Sequence, residues 1–354
     1  MSEVVIVEKL FSDDELIRIN EIQRSFPVYF PPARPTPPGF SVELPPGPPR
    51  NQTLRFAPHL SSREDVARYW RKLVKPSLVN GGLGGQPPSL DYLRALYAAQ
   101  GQPLTDGIEE ILDCDRLVEL AHEVFDSDTV LPESVFANVY LPGQELLTHT
   151  DIPAFRGAER GQVPAWLLVA MHHSGLFERW RVHVATVVVY PDVSEGGAFY
   201  YFGRSPSEHD VTRVTVEPHA NSAVVLDADT IFHGVERVGG ESSSNDFPPD
   251  AYLVPESHAD WRVCQGNRAC ESLAILGKNE VRFSLSWKAY CFPHMSAYRV
   301  WLEHEDDLDL SEIIPALSRL LKKRKSLLGQ EMSEDELGAV IIDELIPFPN
   351  SSSG

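Results

Sequence analysis

Near residue 134 the hydrophobic pattern changes its period from three or four residues to two, and it keeps that period to residue 292. "VFANVYL", "RVHVATVVVY", "GAFYYF", "TRVTV", "SAVVLDADTIFHGV" and "EVRFSLSWKAYCF" are β-branched or aromatic runs, and Pro, Gly, Asp and Ser punctuate them. "AWLLVAMHH" at 165–173 reads as one more strand of the series. Most gaps are too short to hold a crossover helix, so successive strands must run antiparallel, as in a sandwich or jelly roll. Residues 239–277 interrupt the series with "GGESSSNDFPPD" and a mixed polar stretch, which reads as an insertion over one end of the barrel.

Helical periodicity flanks this core. Ser12 and Glu15 form a capping box ahead of Leu16, Ile19 and Ile22 at helical spacing, and further helices are expected at 62–75 (Val66, Tyr69, Trp70, Leu73), 90–99 and 107–125. Between them, residues 31–49 contain nine prolines and read as a rigid, ladder-free loop, with polyproline docking to a partner as the alternative. After Phe292 the pattern is helical again, with a second capping box at Ser333 and Glu336. The "KKRK" run at 322–325 reads as a solvated helix face. The expected organisation is one domain over 1–354: an α-rich section 1–133, a β core 134–292 with its insertion, helices over 293–346 and a tail 347–354. The fold class is a mainly β core with flanking α.

A formal net charge of −20, from 51 acidic and 31 basic residues, would repel a phosphate backbone at long range and disfavours a nucleic-acid substrate. A small molecule or a peptide is the better expectation. "MSEVVIVEKLFSDDEL" lacks the basic and apolar regions of a signal peptide, and no stretch approaches a membrane span, so a soluble cytoplasmic protein is expected. Four cysteines, Cys114, Cys264, Cys270 and Cys291, are too few for a disulfide framework and are expected to be reduced.

The chemistry-bearing residues fall within the β series. In "LLTHTD" the side chains of His149 and Asp151 emerge on one face of a strand, because side chains alternate across it. His233 ends the run "DADTIFHGV" and is followed by Gly234. Two histidines and one carboxylate on one side of a metal form the facial triad of non-haem Fe(II) oxygenases, which leaves positions open for a co-substrate and O₂. A hydrogen-bonded core histidine or a turn-forming aspartate is the alternative for each residue alone. On the last strand Arg282, Ser284, Ser286 and Lys288 alternate with Val281, Phe283, Leu285 and Trp287. The polar face points either to solvent or to a polar interior, where Arg282 and Ser284 could grip a carboxylate.

These residues resemble the Fe(II)- and 2-oxoglutarate-dependent dioxygenases, especially their prolyl-hydroxylase-like branch. The resemblance spans roughly residues 134–292 and is carried by "NVYLPGQELLTHTD", "EGGAFYYF", "DADTIFHGVERV" and "VRFSLSW". It implies a double-stranded β-helix, a cupin-like jelly roll, with His149, Asp151 and His233 as catalytic iron ligands. Arg282 and Ser284 would clamp the distal carboxylate of 2-oxoglutarate, and Tyr140 and Asn138 match positions that contact the co-substrate. The chain departs from the family in the long separation of His233 and Arg282, which the insertion explains if the last two strands stay paired; otherwise Arg237 competes for the carboxylate. Activity would be oxidative decarboxylation of 2-oxoglutarate to succinate and CO₂, coupled to oxidation of a small-molecule or amino-acid-like substrate. An intact His-x-Asp implies hydroxylation, desaturation or ring closure rather than halogenation. A peptidyl hydroxylase and a non-catalytic β-barrel binding protein are the alternatives.

The loop 152–164 and the insertion follow iron ligands directly and are expected to line the mouth of the site, with Arg156 and Arg160 as anchors for an acidic group of the substrate. His258, Cys264 and Cys270 could hold a structural zinc, although their spacing matches no compact finger. His172 and His173 read as a surface pair at a strand end, and "GGLGG" at 81–85 as a turn.

Overall fold

The computed structural model describes residues 4–31, 92–160, 162–204, 211–240, 243–244, 246–256, 260–266, 270–325 and 334–346. Nearly all of the proline-rich segment, the helix expected at 62–75, the 81–85 turn, His258, Ser333 and the tail lie outside the described residues.

Two antiparallel sheets carry the core. In chain order their strands are β1 (Val5–Glu8), β2 (Leu93–Ala99), β3 (Gln102–Pro103), β4 (Thr129–Tyr140), β5 (Leu146–His149), β6 (Ala154–Phe155), β7 (Arg181–Tyr190), β8 (Phe199–Arg204), β9 (Val211–Val216), β10 (Ser222–Leu226) and β11 (His233–Val235). Three strands within the expected insertion follow, β12 (Tyr252–Pro255), β13 (Trp261–Gln265) and β14 (Glu271–Leu276), and the long β15 (Arg282–Phe292) closes the series. The larger sheet has the order β1-β10-β7-β15-β4-β2-β3, with β6 added beside β7, and the smaller has the order β5-β11-β8-β9. β15 lies between β4 and β7, so both of its edges are satisfied by ladder bonds.

The alternation of β15 sorts its side chains to two different environments. Phe283, Leu285 and Trp287 join the main hydrophobic cluster with α1 (Asp13–Ser25), α2 (Glu109–Leu112) and α3 (Asp115–Phe125). The Trp287 indole N–H is satisfied by the Leu112 carbonyl at 2.9 Å. Arg282, Ser284, Ser286 and Lys288 face the other way, toward the smaller sheet, since Lys288 reaches Asp151 and Arg282 reaches Gly197. The α1 capping box forms as expected, with Ser12 and Glu15 each bonding the other's backbone.

Several expectations need correction. "AWLLVAMHH" forms a helix, α4 (Ala165–Ser174), rather than a strand. Trp166 through Met171 are all buried, so no polar face marks its period, and α4 packs in a second cluster with α5 (Ile313–Lys325) and α6 (Glu334–Leu345). Residues 93–99 are strand β2, not helix, because the edge of the larger sheet claims them through β4. "VIVE" adds the unforeseen β1 beside β10. β11 and β15 do not pair with each other but sit in opposite sheets.

The insertion also differs from its expected role. Its strands form a sheet of order β12-β13-β14, and Leu253, Trp261, Val263 and Leu276 enter the same cluster as Phe283 and Leu285, on the side of β15 away from Arg282. That sheet backs the core instead of covering the mouth of the site. Cys264 and Cys270 are not reduced but joined in a disulfide across the β13–β14 turn, which removes both as zinc ligands. Antiparallel pairing of Gln265 with Glu271 brings their neighbours into bonding range. Among the described residues no helix is long and apolar enough to cross a membrane.

Candidate functional site

β5 and β11 pair so that His149 lies directly opposite His233, with ring centroids 4.4 Å apart. Asp151, two residues on, is held by its backbone N–H donating to the Ala228 carbonyl at 2.8 Å. Potential ligand atoms of His149, Asp151 and His233 all lie within 4.8 Å of one another. The imidazole tautomers follow from the backbone. His149 Nδ1 lies 2.9 Å from the Leu147 carbonyl and His233 Nδ1 lies 2.8 Å from the Ile231 carbonyl. A carbonyl only accepts, so each Nδ1 carries the proton and each Nε2 keeps its lone pair, as a metal ligand requires.

Electrostatics agree with this assignment. Burial lowers the pKa of both histidines, that of His233 to about 4, so both are neutral at pH 7. Burial pushes the Asp151 carboxyl up, but the Lys288 ammonium, together with the two imidazoles once acid protonates them, outweighs it and holds the carboxyl pKa below its usual range. Lys288 Nζ donates to Asp151 Oδ2 at 2.5 Å, while Oδ1 faces His149 Nε2 at 3.9 Å. One oxygen is therefore committed to lysine, and the other points among the imidazoles. Two neutral nitrogen donors and one carboxylate oxygen suit a divalent first-row metal.

The surrounding residues hold this geometry. Arg181 donates to both Asp227 oxygens, at 3.0 and 2.9 Å, and to Thr230 at 2.9 Å. That buried pair pins the loop whose Ala228 and Ile231 carbonyls position Asp151 and His233. A Cβ at Gly234 would collide with the Tyr200 hydroxyl and the Leu146 carbonyl, which explains the glycine after His233.

On the inner face of the larger sheet Arg282 is 2% exposed. It donates to the Gly197 carbonyl at 2.6 Å, Ser284 Oγ at 3.2 Å and the Tyr190 hydroxyl at 3.4 Å. The Tyr140 and Tyr190 rings lie 5.0 and 5.2 Å from its guanidinium carbon. Among the described residues no carboxylate pairs with it, and a buried cation without a counter-charge is costly unless an anion completes it. Gly197, at φ +72°, is the second glycine of "EGG", and a Cβ there would lie 2.5 Å from Arg282 Cδ. Asn138 sits opposite Ser284 in the ladder and donates through Nδ2 to Ser286 Oγ at 3.2 Å.

The structure thus brings together His149, Asp151 and His233, and separately Arg282 with Ser284, Tyr140 and Asn138, on facing sheets. It turns Arg237 outward to Glu145. Arg156 is engaged by Asp306 at 3.2 Å and by the Arg179 carbonyl, whereas Arg160 donates to the Ile152 carbonyl at 3.3 Å. Lys288, Tyr190 and Asp229 were not foreseen. Lys288 lay on the recognised polar face, but its partner Asp151 is 137 residues away. Asp229 is 1% exposed, neither of its oxygens has a hydrogen-bond partner among the described residues, and burial raises its pKa to about 8.

No family model matches the chain, and no curated protein matches it. Solved structures similar to it are 2-oxoglutarate- and Fe(II)-dependent oxygenases. An oxidoreductase of the 2OG-Fe(II) oxygenase family from Burkholderia pseudomallei is 12% identical, over 81% of this chain and 84% of that one, with a TM-score of 0.38. A Pseudomonas putida prolyl-4-hydroxylase is 12% identical over 83% and 94%, with a TM-score of 0.33. HygX from Streptomyces hygroscopicus, solved with nickel and 2-oxoglutarate bound, is 9% identical over 82% and 83%, with a TM-score of 0.37. At these scores the chain's own residues must decide its chemistry.

Proposed function

We propose that this chain is a non-haem Fe(II)- and 2-oxoglutarate-dependent oxygenase on a double-stranded β-helix, acting on a small-molecule or amino-acid-like substrate by hydroxylation, desaturation or oxidative cyclisation. We read 1–354 as a single domain whose two facing sheets are the two layers of that β-helix. The observation that carries the reading is one interior holding both halves of the required machinery: two imidazole lone pairs converging with a carboxylate, and a buried guanidinium with no counter-charge among the described residues.

His149, Asp151 and His233 would hold the Fe(II). With 2-oxoglutarate and O₂ as co-substrates, a metal held there would supply the oxidising power for attack on a C–H bond, with release of succinate and CO₂. The protein's part is geometry and electrostatics. The Leu147 and Ile231 carbonyls fix the imidazole tautomers, and Lys288 keeps Asp151 ionised and turns Oδ1 inward. Arg282 takes the distal carboxylate of 2-oxoglutarate in a charge-assisted pair, with Ser284 as an added donor and Tyr140 and Asn138 lining the approach. Gly197 leaves room for the guanidinium.

The test is succinate release from purified protein with Fe(II), ascorbate, 2-oxoglutarate and O₂, screened across amino acids, peptides and small organic acids with mass detection of product. Release that needs all components and disappears in His149→Ala supports the reading. No release from any mixture, with the metal demonstrably bound, would remove it in favour of a binding protein.

A further inference from the structure

A second guanidinium stands on the inner face, two strands from the first. Arg94 lies on β2 opposite Asn138, and Asn138 lies opposite Ser284. At a strand spacing of about 4.8 Å this puts the Arg94 backbone roughly 10 Å from β15. Arg94 Nη2 donates to the Tyr92 hydroxyl at 2.8 Å and Nε to Asn138 Oδ1 at 3.2 Å, and its carbon lies 4.4 Å from the Phe136 ring centroid. These partners are all neutral, and among the described residues no carboxylate pairs with Arg94. Of the five N–H groups of a guanidinium, the edge formed by Nη1 and Nη2 keeps donors for a two-point pair.

Tyr92 and Tyr140 separate the two cations. Their rings stack at 5.4 Å, with Arg282 over Tyr140 and Arg94 against Tyr92. The site therefore offers two guanidiniums on opposite sides of an aromatic partition. Arg282 is enclosed and suits the co-substrate, while Arg94 is only half-buried, as expected for a group that meets an exchanging ligand. Its surroundings also lead back to the metal ligands. Asn138 joins Arg94 to Ser286, Ser286 is two residues from Lys288, and Lys288 is bonded to Asp151. Tyr92 lies within electrostatic reach of both Asp151 and Arg160.

Resting on the oxygenase reading above, we propose that Arg94, positioned by Tyr92 and Asn138, is the anchor for a carboxylate of the prime substrate, distinct from the carboxylate held by Arg282. The substrate is then a small organic acid, oriented by its anionic end and presenting a C–H bond to the metal.

The test uses benzoate, benzamide and phenyl phosphate as probes, titrated calorimetrically into the anaerobic Fe(II)- and 2-oxoglutarate-loaded protein and, in parallel, into metal-free protein. Benzoate should bind and benzamide should not. Arg94→Gln should weaken benzoate about tenfold or more, while the 2-oxoglutarate dissociation constant, read separately from the absorption of the loaded protein, stays within about twofold. Tyr92→Phe, which removes the hydroxyl that Arg94 Nη2 donates to, provides a second variant should Arg94→Gln fail to fold, and should weaken benzoate by a smaller factor.

Failure of wild-type protein to bind benzoate, or equal benzoate affinity in the Arg94 variant, would overturn the anchor. An equal loss of 2-oxoglutarate affinity would overturn it too, by assigning Arg94 to the co-substrate. Tighter binding of phenyl phosphate than of benzoate would replace the carboxylate with a phosphate. If Fe(II) and 2-oxoglutarate fail to bind while benzoate still binds metal-free protein in an Arg94-dependent way, the oxygenase reading falls and the anion site stands.

Discussion

The two faces of β15 are almost equally buried yet serve opposite ends. On the outer face Phe283, Leu285 and Trp287 fill a dry cluster, and the one polar atom of Trp287 is bonded. On the inner face Arg282, Ser284 and Ser286 are also buried, but they keep a full charge and hydroxyls away from water. The outer face contributes stability through contact area, whereas the inner face costs stability and holds groups oriented for a ligand. Substitutions on the two faces should therefore separate folding from binding.

The largest effect is expected at the metal ligands. His149→Ala and His233→Ala should weaken Fe(II) binding on the order of a hundredfold or more while leaving the circular dichroism spectrum native. Retention of near-native metal affinity in either variant would strike that residue from the set. Next is the outer face: Trp287→Ala should cost about 3–5 kcal/mol in denaturant unfolding. Its folded fraction should bind 2-oxoglutarate normally, and a selective loss of that affinity would break the division between the faces.

Arg282→Met reverses the pattern. It should raise the 2-oxoglutarate dissociation constant by roughly ten- to a hundredfold with little loss of stability, since it removes a buried unpaired charge. Gly197→Ala is expected to give a smaller loss in the same assay, because a Cβ there forces Arg282 aside and is strained at positive φ.

A pH dependence is expected at Asp229. Its folded pKa, about 8, lies above the unfolded value, so its contribution is present below about pH 4 and is lost as pH rises through 8. Asp229→Asn should therefore raise the melting temperature more at pH 8.5 than at pH 5. An identical gain at both pH values would show that the carboxyl is not held neutral.

The same comparison explains what could be read in advance. β4, β7, β8, β9 and β15 were legible as β-branched or aromatic runs between turn residues, and β15 also announced itself by alternating a polar with an apolar face. α4 was misread because it is covered on all sides, which erases the period that separates strand from helix, whereas β2 alternates buried Leu93, Ala95 and Tyr97 with half-buried Arg94 and Leu96 in a short Leu- and Ala-rich run that favours helix by propensity. The two-residue spacing of His149 and Asp151 and the His233-Gly234 pair made the donor set legible, and the polar face of β15 pointed to Arg282. The roles of Lys288, Asp229 and Arg94 were hidden because strand register, not local pattern, puts them beside residues far away in the chain. The insertion was misplaced because a polar, loop-rich composition does not reveal that Leu253, Trp261 and Val263 would find the outer face of β15.

The most direct measurement of the central claim is an anaerobic absorption titration of 2-oxoglutarate into the Fe(II)-loaded protein, run beside Arg282→Met and His149→Ala. A saturable metal-to-ligand charge-transfer band is predicted for the wild-type protein, at much higher 2-oxoglutarate concentration in Arg282→Met, and no band in His149→Ala. Absence of any such band in wild-type protein that has bound Fe(II), or an unchanged titration in Arg282→Met, would contradict the assignment of the inner face to metal and co-substrate.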